Sequence, residues 1–200
     1  MIIITGSCGY IGSHISYYFQ KNNIDFIGID NLTYSYKSNV SKKQRHFYID
    51  ISNINKLTKI FRKFKPETVI HCAASSYVLE GEKDKKKYYF NNVTKTKKFI
   101  NFCVQNSIKN FIFLSSSNVY CETLKNSTFT EKNITKPKNF YGQNKIAIER
   151  YLKKKKFDKL VILRLFNVIG LFNKKFNIYK YKKKNYQRLI FKIIQNYHLN

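Results

Sequence analysis

The sequence predicts an α/β fold on a doubly wound parallel sheet, and three observations point there. Short apolar runs alternate with helical periods along the 200 residues. The first run, residues 1–5, leads straight into a glycine-rich turn that opens a helix. The composition, 43% hydrophobic and 16% aromatic, is enough for a sizeable core and excludes wholesale disorder.

In chain order, residues 1–5 (Met-Ile-Ile-Ile-Thr) are almost continuously apolar, as a strand buried on both faces should be. A helix is expected over residues 10–21. Residues 25–30 (Asp-Phe-Ile-Gly-Ile-Asp) read as strand two and 45–50 as a short strand three. The polar stretch 31–44 between them reads as a surface loop. Residues 53–64 place Ile54, Leu57, Ile60, Phe61 and Phe64 on one helical face, and Pro66 ends that helix. Strand four follows at 67–71, then a long helical pattern at 88–106 with Phe99, Phe102 and Cys103 inward. Strand five is expected at 110–114, a helix at 140–155 and strand six at 160–165. An amphipathic segment at 186–197 follows a lysine-rich linker. Six strands separated by helices place ligands at the carboxyl ends of the strands.

The charge is the other conspicuous quantity. A formal net charge of +27 invites a nucleic-acid reading. However, only five of the 38 basic residues are arginine, whose bidentate fork suits phosphate and base recognition, and the lysines are spread along the chain. A solvated lysine coat is expected, and nucleic acid is not an expected partner. No stretch approaches the ~20 apolar residues of a membrane span, and no basic region precedes the first apolar run. The four cysteines (Cys8, Cys72, Cys103, Cys121) show no metal-binding spacing. No metal, no membrane and a reducing cytoplasm are therefore the expectations.

Gly6-Ser7-Cys8-Gly9-Tyr10-Ile11-Gly12 stands between strand one and its helix. Gly6 lets the chain turn, Gly9 lets the backbone approach a pyrophosphate, and Gly12 lets helix and sheet pack closely. The helix amino terminus, at Tyr10 and Ile11, offers N–H donors to the anion. Asp30 ends strand two, where a carboxylate binds the adenosine ribose hydroxyls and repels a 2′-phosphate. NAD is therefore expected as cofactor rather than NADP; the alternative for Asp30 is a loop cap with Asn31.

The glycine spacing G-x-x-G-x-x-G within Thr5 to His14 closely resembles the extended short-chain dehydrogenase/reductase family, and within it the NAD-dependent epimerase/dehydratase enzymes that act on nucleotide sugars. The resemblance continues through Asp30-Asn31-Leu32, Asp50-Ile51, His71-Cys72-Ala73-Ala74 and Tyr88-Tyr89-Phe90-Asn91-Asn92-Val93. It runs on to Arg164-Leu165-Phe166-Asn167-Val168-Ile169-Gly170, so it covers about 170 residues in collinear order. It implies a Rossmann domain in which Asp50 and Ile51 lie at the adenine, Ala73, Ala74 and Ser115 line the cofactor, and Asn91 lies near its ribose. Phe166 would pack near the nicotinamide and Asn167 near the substrate diphosphate. Arg164 lies inside strand six, where a structural role is the alternative.

Tyr141 and Lys145 stand one helical turn apart on the same face. A tyrosine acts as a base near neutral pH only if a positive charge favours its phenolate, and Lys145 would supply one. With 16 tyrosines and abundant lysine this spacing is common by chance; its place on the helix after strand five is where the family keeps its catalytic pair. The resemblance aligns Ser116 with the family's catalytic Ser/Thr, able to hydrogen-bond the reacting sugar oxygen. Ser115 and Ser117 remain the alternatives, as does a serine-rich turn that satisfies backbone groups.

The reaction implied is transient oxidation at a sugar carbon and return of hydride to the other face. That inverts C4 of a nucleoside-diphosphate hexose, the UDP-glucose and UDP-galactose pair. Related dehydratases carry an Asp-Glu pair where this chain has Ser117-Asn118, which argues against dehydration. The alternatives are a dehydratase or reductase of the same family, or a non-catalytic NAD-binding module. Cys121 replaces a usual glycine, and Ser76 replaces a lysine that touches cofactor in epimerases. Family members run well past 300 residues and pair as homodimers through the helices at 88–106 and 140–155. The expectation is therefore an NAD-binding domain over 1–172, with 173–200 a linker and the first helix of a substrate domain that is largely absent.

Overall fold

The computed structural model describes residues 1–120 and 129–169. The lysine-rich linker, the amphipathic segment at 186–197, Gly170 and Cys121 lie outside the described residues.

Six strands form one parallel sheet: β1 (Ile2–Thr5), β2 (Phe26–Ile29), β3 (His46–Phe47), β4 (Thr68–His71), β5 (Asn110–Ser116) and β6 (Lys159–Leu165). Their spatial order is β3-β2-β1-β4-β5-β6. The order reverses at β1, so the crevice above β1 and β4 is the switch point where a doubly wound sheet opens to ligands. The helices are α1 (Tyr10–Lys21), α2 (Ile54–Phe64), α3 (Val78–Lys83), α4 (Lys85–Tyr89), α5 (Lys95–Gln105) and α6 (Phe140–Leu152).

Alternation along the strands explains how both faces are filled. Ile3, Ile27, Ile29, Val69, Phe111 and Phe113 point to one face, against Leu57, Ile60 and Phe61 of α2, Phe99, Ile100, Phe102 and Cys103 of α5, and Ile148 and Leu152 of α6. Ile4, Phe26, Ile70 and Leu114 point to the other, where Ile11, Ile15 and Phe19 of α1 cover them. The amphipathic pattern in α2 thus does what it implied, and the left-handed Lys65 (φ 44°) ends that helix just before Pro66.

Three expectations need correction. Strand three pairs only over His46–Phe47, because Ile49 N–H turns back to the Phe47 carbonyl at 3.1 Å and the chain leaves the ladder. Helix α3 was not expected at all: Val-Leu-Glu-Gly-Glu-Lys has no apolar period, and it is held by tertiary contact, with Gly81 packed on the Tyr88 ring. The helix expected at 88–106 starts earlier, at Lys85, where Asp84 caps it by accepting from Lys87 N–H at 3.0 Å. It is also interrupted by one π turn, Phe90–Thr94.

Candidate active site

The cradle begins where β1 ends. Gly6 adopts φ +66°, and a Cβ there would meet the Ala73 backbone nitrogen at 2.7 Å. A Cβ on Gly12 would meet the Gly6 carbonyl oxygen at 2.1 Å. Only glycine fits either position, so the turn lies flat against the loop after β4. No side chain caps the amino terminus of α1, whose first turn is Tyr10, Ile11 and Gly12. A terminus without a side-chain cap is what an anion site requires, although Tyr10, Ile11 and Gly12 are not among the residues lining the cleft.

Above the turn lies a cleft of about 620 Å³, mouth included, lined by Gly6, Gly9, Asp30, Asn31, Asp50, Ile51, Ala73, Ala74 and Asn91. These are nine of the residues expected at a dinucleotide. Asp30 is buried at its floor. Its carboxylate accepts from Cys8 N–H at 3.0 Å, Leu32 N–H at 2.8 Å and the Ser35 hydroxyl at 2.7 Å. It therefore caps the loop and also faces the cleft; the two readings of Asp30 are compatible. Thr33, Tyr34, Ser35, Ile29, Ile49 and Cys72 line the cleft as well and were missed. Thr33, Tyr34 and Ser35 lie in the polar loop 31–44, which carried no spacing to single them out, and Ile29, Ile49 and Cys72 read from the sequence only as apolar residues at or beside strand ends.

The π turn shapes the opposite wall. Asn92 accepts from Ser75 N–H at 2.8 Å and donates to the Ser75 carbonyl at 2.9 Å, while Asn91 donates to the Ser75 hydroxyl at 2.9 Å. Tyr88 adds a fourth bond to the Ser75 carbonyl at 2.7 Å. The loop after β4 is thereby pinned at one residue.

Helix α6 carries the second half of the site. Lys145 is buried, its Nζ donating to the Leu114 carbonyl at 2.6 Å and standing 5.6 Å from the Tyr141 ring centroid. Burial pushes its ammonium down to about 8, against the opposing pull of Cys72 and Glu149. It thus stays largely charged near neutrality but can lose its proton just above. His71 beneath it is held neutral, lowered to about 3 by burial and by Lys145, and bonds to Thr5 at 2.8 Å. The thiol of Cys72 is pushed up to about 12, again by burial first, so neither group competes as an acid or base.

Ser116 closes β5. Its Oγ accepts from the backbone and the side-chain N–H of Asn118, at 3.2 and 3.1 Å, which uses both lone pairs and leaves its O–H as a donor. Asn118 in turn accepts from the Asn139 amide at 2.9 Å, and Asn139 caps α6 by accepting from Gly142 N–H. A Cβ on Gly142 would meet the Asn118 carbonyl oxygen at 2.2 Å. The turn after β5 and the first turn of α6 are therefore clamped together, and Ser116 and Tyr141 belong to one unit.

Ser115, expected at the cofactor, turns its hydroxyl to Glu149 instead, because successive residues of a strand face opposite ways. Glu149 itself was missed. It is 1% exposed and also bonds Arg164 at 2.8 Å, which gives Arg164 the structural role held as its alternative. Phe166 and Asn167 lie past the end of β6, exposed and outside the cleft wall. Among the described residues no group of His, Cys, Asp or Glu could hold a metal ion, and no helix is long and apolar enough to cross a membrane.

Comparison with known proteins gives a consistent picture. The profile of the NAD dependent epimerase/dehydratase family matches residues 2–200. The UDP-glucose 4-epimerase of Halalkalibacterium halodurans is 33% identical over 172 residues, 84% of this chain and 51% of that one. Among solved structures, the UDP-glucose 4-epimerase of Thermotoga maritima with UDP-glucose superposes with TM-score 0.79 at 28% identity, covering 84% of this chain and 56% of that one. The Thermus thermophilus UDP-glucose 4-epimerase in complex with NAD gives 0.76 at 27%, covering 82% and 54%. The chain spans about half the length of these relatives.

Proposed function

The chain belongs to the NAD dependent epimerase/dehydratase family, and from that membership we propose that it binds NAD along the carboxyl rim of the sheet and epimerises a nucleotide sugar at C4, with UDP-glucose and UDP-galactose as the substrate pair. The observation that carries this reading is the clamp through Asn118, which ties the strand end bearing Ser116 to the helix turn bearing Tyr141 and Lys145.

The cradle fits the cofactor: two glycines whose side chains would collide with the turn, an uncapped helix terminus for the pyrophosphate, and a buried Asp30 for the ribose. Bound there, NAD supplies a hydride acceptor that later returns the hydride. The protein's part is proton transfer and orientation. Tyr141, as its phenolate, takes the C4 hydroxyl proton and, once the 4-keto sugar presents its other face, gives a proton back to O4. Lys145, mostly charged below about pH 8, favours that phenolate. Ser116 donates its O–H to O4 and holds the oxygen as charge develops. Asn118, which stands where a dehydratase keeps an acid or base, is committed to Ser116 and Asn139, so water elimination has no proton donor at that place.

Incubation with NAD and UDP-glucose, followed by chromatography of the nucleotide sugars, tests the reading. UDP-galactose should form, and Tyr141→Phe should reduce its formation by about 10²-fold or more while NAD still binds. Unchanged turnover in that variant, or a product unchanged at C4, overturns it.

A further inference from the structure

The cleft has two walls above its glycine floor. Thr33, Tyr34 and Ser35 of the loop after β2 stand on one side, and Ala73 and Ala74 of the loop after β4 on the other. One side chain joins them. The Tyr34 hydroxyl donates to Glu80 Oε1 of α3 at 2.5 Å, and the Ser75 hydroxyl also reaches the Tyr34 oxygen. The Tyr34 ring stands against that of Tyr77, with centroids 6.0 Å apart. Burial first, and then the Glu80 carboxylate, push the Tyr34 phenol up from its ordinary value, so it keeps its proton and remains a donor.

Both ends of this bridge are fixed. On the near side Leu32 adopts φ 60°, a strained value for a branched side chain, and its N–H is held by Asp30 at 2.8 Å. Asp30 also accepts from the Ser35 hydroxyl at 2.7 Å, so the backbone on either side of Tyr34 is tied to the cleft floor. On the far side Gly81 packs on the Tyr88 ring, and Glu82 accepts from Phe140 N–H at 2.7 Å, which ties α3 to the start of α6. The part left to move is the tyrosine side chain, by rotation about its own bonds.

We propose that Tyr34 and Glu80 form a strap across the dinucleotide cleft that sets how fast the cofactor enters and leaves. A dinucleotide lying along the rim runs between the two walls, so it passes the bridge in both directions. The bond is made whether or not the cleft is filled; breaking it therefore raises both barriers alike and leaves affinity unchanged. The inference rests on the dinucleotide reading above and adds to it the control of exchange.

Stopped-flow fluorescence with NADH tests it on the whole chain, in wild type, Tyr34→Phe, Glu80→Ala and the double variant. Phenylalanine keeps the ring on Tyr77 and removes only the hydroxyl. Mixing free protein with NADH gives the association rate, and chasing the loaded protein with excess NAD gives the dissociation rate. In Tyr34→Phe both rates should rise about tenfold, the loss of one hydrogen bond to a charged group, with Kd held within about twofold. Glu80→Ala should speed both rates as well, and the double variant should be no faster than Tyr34→Phe. Unchanged rates, a change confined to one of the two, or additive effects in the double variant overturn the strap. Failure of wild type to bind NADH would instead refute the dinucleotide reading, and the strap with it.

Discussion

Lys145 shows how far one side chain's surroundings set its chemistry. Its ammonium is buried between the Leu114 carbonyl and the rings of Phe113 and Tyr141, and its proton affinity drops from 10.5 to about 8. Between those values the unfolded chain binds more protons at this residue than the folded one, so its burial costs stability at neutral pH and that cost fades as pH rises through the window. The shift corresponds to roughly 3 kcal/mol. Urea denaturation of wild type and Lys145→Met should show wild type gaining about that much relative to the variant between pH 7 and 10.5; parallel pH profiles would contradict it. The sequence spacing identified Tyr141 and Lys145, because one helical turn is a fixed geometry. It could not identify Glu149, whose partner Ser115 lies 34 residues away.

At the scale of elements, α6 is anchored at both ends by polar contacts that no period reveals. Asn139 fixes its start, and near its end Glu149 holds β5 through Ser115 and β6 through Arg164. Arg164 further reaches the Tyr120 hydroxyl at 3.2 Å and the Glu131 carbonyl at 3.1 Å. Removing one partner leaves a buried charge alone, so Arg164→Met should cost about 3–5 kcal/mol by chemical denaturation. Arg164→Met with Glu149→Met should recover at least half of that; a double variant no better than the single one would contradict the pairing. The helices with a clear apolar face, α1 and α2, were legible to the residue or within one of it. Helix α3 and the π turn were not, since each is stabilised by bonds to distant residues: Glu82 accepts from Phe140 N–H, and Tyr88, Asn91 and Asn92 make four bonds at Ser75.

For the whole molecule, the alternation of strand and helix predicts the parallel sheet, whose strands lie in the order β3-β2-β1-β4-β5-β6. That order sets the glycine turn, Asp30 and the end of β4 around one crevice, and the β5–α6 unit one strand further on. The walls of the crevice were half legible: glycines and carboxylates at strand ends stand out, whereas loop residues such as Tyr34, which donates to Glu80 across the mouth, do so only once folded. On the proposed reading NAD lies along this rim with its nicotinamide toward Tyr141. A crystal structure of the protein grown with NAD tests this placement. The pyrophosphate should lie over Gly6–Gly12, the adenosine ribose on Asp30 and the nicotinamide beside Tyr141, whereas an empty crevice or a nicotinamide at the Asp50 end would contradict it.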